Sequence, residues 1–193
     1  MTMTLPQMTA FLRGHGIPIE TWGIGVSKTL AHLHQEISVG EAVLVSHGHQ
    51  LLHCTTSACV NILHRREGRL LYLIEDKQVF KDGRVRDRKA RTQASVVDKL
   101  KPGESPRAGA VRAIQEELCI SLDRTEEDQL LVGRPPKIHI GPVPSKSYPG
   151  LWSNHTLHLF EWTMPDLFFK PEGYIEEQTD KTTYFVWVRI KER

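Results

Sequence analysis

From Ala42 to Phe80 the chain is made almost entirely of short β-prone runs, AVLVS, LLHCTT, ACVNILHRR and RLLYLIEDKQVF, broken by HGH, by a serine and by EG. Runs rich in Val, Ile and Leu that stop at turn-forming residues read as consecutive strands, and short breaks between them mean antiparallel pairing. Glu67-Gly68 suits a hairpin turn. A sheet of this kind carries an apolar face that another layer must cover, so the chain is restricted to a layered fold.

The covering element is legible further on. Ser105 is a good N-cap, Pro106 suits the first helical position, and Ala108, Val111, Ile114 and Leu118 recur at spacings of three and four, which predicts a helix over 106–118 with one buried face. Two shorter helices are expected before the strands, Pro6 to Arg13 and Lys28 to Ile37, the latter with Leu30, Leu33 and Ile37 in phase. After the long helix, strands are expected at Gln129–Val132, Lys137–Ile140, His155–Trp162 and Tyr184–Ile190. SKSYPGLWS reads as a loop and PEGYIEEQTDK as an acidic loop or short helix. Strands, helix and more strands indicate an α/β or α+β layered domain. A chain of 193 residues accommodates one such domain over 41–193 with a helical lead-in over 1–40.

Composition narrows the partners. Lysine and arginine total 25 against 23 acidic residues, a formal charge of +2, so nothing global attracts nucleic acid or anionic lipid. Cys54, Cys59 and Cys119 lie in apolar contexts without a CxxC pair, which fits reduced, buried thiols. No apolar stretch approaches the roughly 18 residues that span a bilayer, and MTMTLPQMTAFLRGHG lacks the order of a signal peptide. The expectation is a cytoplasmic protein with no membrane association, an organelle remaining open.

On the predicted helix, Glu116 and Glu117 project at neighbouring angles, and Ala113 lies one turn before both. Clustered carboxylates beside a diphosphate form a platform for magnesium or manganese, hard cations that take oxygen ligands. Elsewhere Glu172, Glu176, Glu177 and Asp180 form a second acidic group, which could replace a missing carboxylate if the fold returned it to the helix. Lys81 to Arg91 carries Lys81, Arg84, Arg86, Arg88, Lys89 and Arg91 against Asp82 and Asp87. With a tip at Asp82-Gly83, alternation puts Arg84, Arg86 and Arg88 on one face, where planar guanidinium groups suit phosphate. Tyr148 and Trp152, in the proline-glycine loop, are candidates for stacking on a ligand ring, whereas Trp162 and Trp187 fit the core. Gly23, Gly25 and Lys28-Thr29 fail the spacing of a phosphate-binding loop, and the histidines do not combine into zinc spacings.

The whole run Lys99–Ile120, KLKPGESPRAGAVRAIQEELCI, resembles a Nudix box. That signature runs Gly, five residues, Glu, seven residues, then Arg-Glu-apolar-x-Glu-Glu-x-Gly-apolar. Here Glu104 is followed by seven residues and then Arg112, Ala113, Ile114, Gln115, Glu116, Glu117, Leu118, Cys119 and Ile120. Asp98 stands at the first glycine, Ala113 at the acid after the arginine and Cys119 at the closing glycine. The resemblance implies a Nudix-type α/β/α sandwich with a mixed β-sheet. It also implies metal ligation by Glu116, Glu117 and Glu104, with Glu116 and Glu117 serving catalysis and Arg112 paired to Glu104 as a structural orienter. The implied activity is magnesium-dependent (or manganese-dependent) hydrolysis of a nucleoside diphosphate linked to another moiety. Its partner would be a phosphate-rich small molecule, with a homodimer allowed. Ala113 lacks a carboxylate that the family uses on the metal, and losing one such group costs on the order of 10²-fold in rate. The alternative is therefore a catalytically impaired module that keeps the fold and binds nucleotide, and any general base is expected outside the box.

Overall fold

The computed structural model describes residues 3–88 and 94–189; Lys89 and Arg91, expected above to belong to the basic loop, lie outside them. The fold is α+β, a mixed sheet with four α-helices among the described residues. The chain forms two compact units. One holds residues up to Ser57 together with Lys99–Glu104 and Ile138–Leu157, the other Ala58–Asp98, Ser105–Lys137 and the residues from His158 onward.

In the first unit, α1 (Leu5–Gly14) and α2 (Leu30–Ser38) are the two expected short helices. Thr4 and Thr29 cap them, each accepting from the backbone N–H three residues on, which satisfies donors that an uncapped helix leaves open. Strand β1 (Ala42–His47) pairs antiparallel with the start of β2 (Gln50–Arg66), from Ala42 opposite Thr55 to His47 opposite Gln50. Met8, Leu12, Ile17, Trp22, Leu33, Leu51, Tyr148 and Leu151 close the core, each buried side chain contributing ~1.5–3 kcal/mol.

In the second unit, the end of β2 pairs with β3 (Arg69–Phe80) around Glu67-Gly68, whose positive φ values of 50° and 71° suit the expected two-residue hairpin. β4 (Val85–Asp87) folds back on β3 after the Asp82-Gly83 tip. β5 (Val96–Lys99) leads towards α3 (Pro106–Leu118), and α4 (Arg124–Asp128), which the sequence reading did not anticipate, follows. β8 (Tyr174–Glu177) pairs with β9 (Lys181–Arg189), and β9 with β3. Strands β6 (Leu131–Pro144) and β7 (Trp152–Thr163) pass through both units.

Three expectations need correction. The runs LLHCTT and ACVNILHRR are one strand, because Ser57 is buried within β2 and does not turn. The two strands expected around Pro135 and Pro136 are likewise one, β6, and Gln129 instead caps α4; the sheet order ends at β6, an edge where prolines cost no ladder bond. YIEE within the acidic segment is strand β8, not loop or helix, since its backbone pairs with β9. The three cysteines are free, but Cys119 is exposed and Cys54 only half-buried.

Candidate functional site

The turn before α3 and the helix itself are locally over-determined. Glu104 Oε2 accepts from the Lys101 N–H at 2.9 Å, and the Ser105 hydroxyl accepts from the Ala108 N–H at 3.2 Å. At the far end Cys119 occupies the left-handed conformation with φ 56°, the position where the family signature places glycine. Asp98, standing where the signature has its first glycine, forms an ion pair with Arg112. Two of the three departures from the signature thus leave a capped and tethered helix.

The buried stripe is turned from the predicted one. Gly109, Ala110, Ala113, Ile114 and Leu118 are buried, whereas Ala108 is exposed and Val111 half-buried. Ala108 and Val111 instead line a shallow hollow of about 320 Å³ with Ser105, Arg107, Arg112, Gln115 and Glu127, where Arg107 donates to the Glu127 carbonyl at 2.7 Å. Small residues at 109, 110 and 113 are therefore packing residues, and Ala113 lies in the interior of the unit, fully buried.

Glu116 and Glu117, adjacent in sequence, end up in different surroundings. Glu116 is about half exposed and pairs with Arg112 at 3.0 Å, four residues back on the same helix. Glu117 is held inward, Oε1 accepting the Val97 N–H at 3.1 Å. Burial, followed by the charges of Glu176 on β8, Asp98 on β5 and Glu75 on β3, pushes the Glu117 carboxyl well above the usual range. Burial also raises Glu176, with Glu75 and Asp98 adding to it. Cys59 is pushed up to about 12 by burial and by Glu117. The unit gathers four carboxylates from α3, β3, β5 and β8.

Of the expected phosphate-binding arginines, Arg84 pairs with Asp82 at 2.7 Å and, like Arg86, lies over the Phe80 ring. Arg88 binds Glu75 at 2.7 Å, both side chains about four-fifths buried. Tyr148 is fully buried in the first unit's core against Trp22, because the loop folds back through a 2.9 Å bond from the Ser145 N–H to the Leu151 carbonyl. Trp152 opens β7 half-buried. Glu172, Glu177 and Asp180 are exposed, leaving Glu176 as the member of that acidic group that joins Glu117.

Sequence reasoning passed over Glu75, and its signal was available: Leu71, Leu73 and Glu75 alternate, so the acid shares a face with apolar residues. It also passed over a network in the first unit. Glu36, on α2, is 6% exposed and receives Lys28 at 2.6 Å, Lys99 at 2.8 Å and His53 at 2.9 Å. Burial alone would raise its carboxyl, but the His53 bond and the two lysines outweigh that and hold it well below the usual range. His155, bonded to Thr55 at 2.7 Å, is lowered by burial and by the neighbouring His53 and Lys99. The position of Glu36, three residues past Leu33, puts it near the apolar side of α2. That spacing alone is a weak mark, since helical glutamates usually face solvent.

Among the described residues, no three His, Cys, Asp or Glu side chains already stand at metal-ligating spacing, and no helix is long and apolar enough to cross a membrane. The donor chemistry around Glu117 nevertheless fits a hard divalent cation: every candidate ligand is an oxygen, and among the described residues the buried Glu75 Oε1 has no hydrogen-bond partner.

No protein-family profile and no curated protein sequence matches the chain. Solved structures similar to it include a MutT/nudix family protein from Enterococcus faecalis, at 11% identity and a TM-score of 0.45 over 86% of this chain and 52% of that one. A C. elegans Ap4A hydrolase binary complex is similar at 15% identity and a TM-score of 0.40, over 69% and 79%. The E. coli dihydroneopterin triphosphate pyrophosphohydrolase is similar at 17% identity and a TM-score of 0.38, also over 69% and 79%. These are likenesses of fold alone.

Proposed function

We propose that the chain is a Nudix-type hydrolase that cleaves the diphosphate linkage of a nucleotide derivative with the help of magnesium or manganese. The observation that carries this reading is the placement of Glu117. A capped, tethered helix of the right pattern delivers it into a group of acids from three strands. Bound there, the cation would offset phosphate charge and polarise a water. The chain's own side chains have simpler tasks. Arg112 holds the helix to β5 through Asp98 and to its own next turn through Glu116. Glu104 fixes the preceding turn through the Lys101 N–H. Arg84, exposed just before β4, and Arg86, half-buried within it, are the side chains this reading assigns to the substrate's phosphates. In the reaction a water oxygen would bond to phosphorus, the bridging P–O bond would break with its electron pair leaving on the departing phosphate oxygen, and the water's proton would pass to a carboxylate, which this reading expects outside the box because residue 113 carries none.

The second reading, a nucleotide-binding module without turnover, is favoured by one observation: residue 113 lies in the packed interior, so the missing carboxylate cannot be restored there without burying a charge. A panel of dinucleotides and nucleoside diphosphate conjugates, incubated with the protein and magnesium or manganese, separates the two. Hydrolysis that Glu117→Gln abolishes supports the enzyme. Micromolar binding without hydrolysis of any compound supports the binding module and overturns the enzyme.

A further inference from the structure

The acids that the family resemblance would place on the metal and the acids that the fold brings together are different sets. Glu116 lies on the half-exposed side of α3, already paired with Arg112 at 3.0 Å. Glu117 lies on the inner side, with α3 packed against β8 and with Glu176 and Glu75 in electrostatic reach. The two strand acids come from sheet register. Glu176 of β8 is directly opposite Thr183 of β9, and Thr183 is directly opposite Gln78 of β3, so the three form one row on one face of the sheet. Glu75 lies on β3 across the bulge between Glu75 and Lys77, opposite Phe185, which shares that face with Thr183.

An independent observation points to a ligand on this row. Gln78 and Thr183 are 7% and 3% exposed, yet among the described residues Gln78 Oε1 and Thr183 Oγ1 have no hydrogen-bond partner. Glu75 Oε1 has none either among the described residues, while its Oε2 accepts from Arg88 at 2.7 Å. A buried polar oxygen without a partner carries a desolvation cost of ~1–3 kcal/mol, and three in one unit on neighbouring positions form a set of unmatched acceptors. Acceptors that lack donors and lie beside clustered carboxylates are met by a cation, whose ligands are all oxygens. The backbone row of Glu176, Thr183 and Gln78 is fixed by the pairing of β3, β8 and β9.

We infer that the divalent cation of this chain is held by Glu117 together with the strand acids Glu176 and Glu75, with Gln78 and Thr183 as neutral oxygens of the same site, and that Glu116 is not a ligand. The inference rests on the hydrolase reading for its cation but not for its test. It relocates the site from a helix-borne set to one shared between α3 and the sheet, and so explains how a box without an acid at 113 keeps a cation.

The test is Mn²⁺ titration of the metal-free full chain, by calorimetry and by the loss of the free-ion electron paramagnetic resonance signal. Glu176→Gln is expected to weaken Mn²⁺ affinity by about tenfold or more, whereas Glu116→Gln leaves it within about twofold. Thr183→Val removes a hydroxyl that bonds nothing among the described residues, so it should fold as wild type does and still weaken Mn²⁺. A purely structural role for that hydroxyl would leave affinity unchanged. The inference is overturned if wild-type protein takes up no Mn²⁺, or if Glu116→Gln loses the ion while Glu176→Gln keeps it. Turnover on the substrate panel is scored separately. Hydrolysis unaffected by Glu176→Gln sinks the inference and leaves the hydrolase reading standing. The expected Mn²⁺ pattern without any hydrolysis does the reverse.

Discussion

Each unit of this protein turns a helical glutamate towards strands, Glu36 fully buried and Glu117 part-buried, and the two lie in opposite fields. Glu36 receives two lysines and a histidine within 2.9 Å, so its charge is cancelled where it sits. Glu117 receives one backbone N–H and has three further acids in electrostatic reach, so its charge is not. A carboxylate whose acceptors are already taken by protein donors is a structural tie, because a ligand would have to displace them. One surrounded by like charge is costly to the fold unless something positive arrives, and such cost is tolerated where function requires it.

The comparison breaks most visibly at Glu36. Removing one partner of a buried ion pair leaves the others uncompensated, and Glu36→Gln is expected to destabilise the protein by about 3 kcal/mol at pH 7, the lower end for such pairs because Lys28 is partly exposed. The sign with pH is fixed. Since the folded carboxyl is depressed, its contribution is complete above the ordinary carboxylate value of 4.5 and is lost as pH falls through the folded value. Urea denaturation of wild type and Glu36→Gln at pH 7 and again near pH 3.5 should therefore show a narrower gap at the acid value. An equal gap at both would mean that Glu36 acts through packing alone.

Glu117→Gln should behave in the opposite sense. With the folded carboxyl raised, the acid's contribution is fully present below 4.5 and is lost as pH rises through the folded value. The glutamine keeps an oxygen for the Val97 N–H, so the metal-free variant is expected to match wild type near pH 4 and to exceed it by on the order of 1 kcal/mol at pH 8. Added Mn²⁺ should reverse the order, because only a state that binds the ion gains stability from it. Thermal unfolding with and without the ion reads both effects. A loss of stability in the metal-free variant at pH 8 would show that Glu117 is compensated after all.

The same contrast explains what the sequence made legible. Helix α3, its cap and the spacing from Glu104 to Glu117 are local properties, fixed by Ser105, Pro106 and the period of the apolar residues, and the structure places the helix over the expected residues. The hairpin at Glu67-Gly68 and the Asp82-Gly83 tip are local for the same reason. What failed was register. A four-residue strand such as YIEE has too few alternations to declare itself, and only pairing with β9 makes it a strand. Glu176 consequently reads in the sequence as one acid among several. Glu36 and its partners are scattered along the chain, so no spacing rule brings Lys28, His53 and Lys99 together.

A smaller effect tests the local part. Ser105→Ala removes the hydroxyl that caps α3 and should cost about 1 kcal/mol. Because the helix is also held by Arg112 and Asp98, the loss should appear in global stability and leave Mn²⁺ affinity near the wild-type value. Fraying that reached Glu117 would instead weaken both.

The smallest expected effect carries the sharpest distinction between neighbours. Glu116 makes a half-exposed pair with Arg112 four residues away, and pairs of that geometry are worth about 0.3–0.5 kcal/mol and fade with salt. Arg112 keeps Asp98 when Glu116 is replaced, so no charge is stranded. Glu116→Gln is therefore expected to shift stability by no more than that amount at low salt and by less at 1 M salt, where the Debye length falls to about 3 Å. If adjacent glutamates on one helix differ this far, with one removable at almost no cost and its neighbour reversing sign with the ion, the helix presents a single inward acid to the sheet. A large loss on replacing Glu116 would instead mean that its carboxylate is bound to something stronger than Arg112.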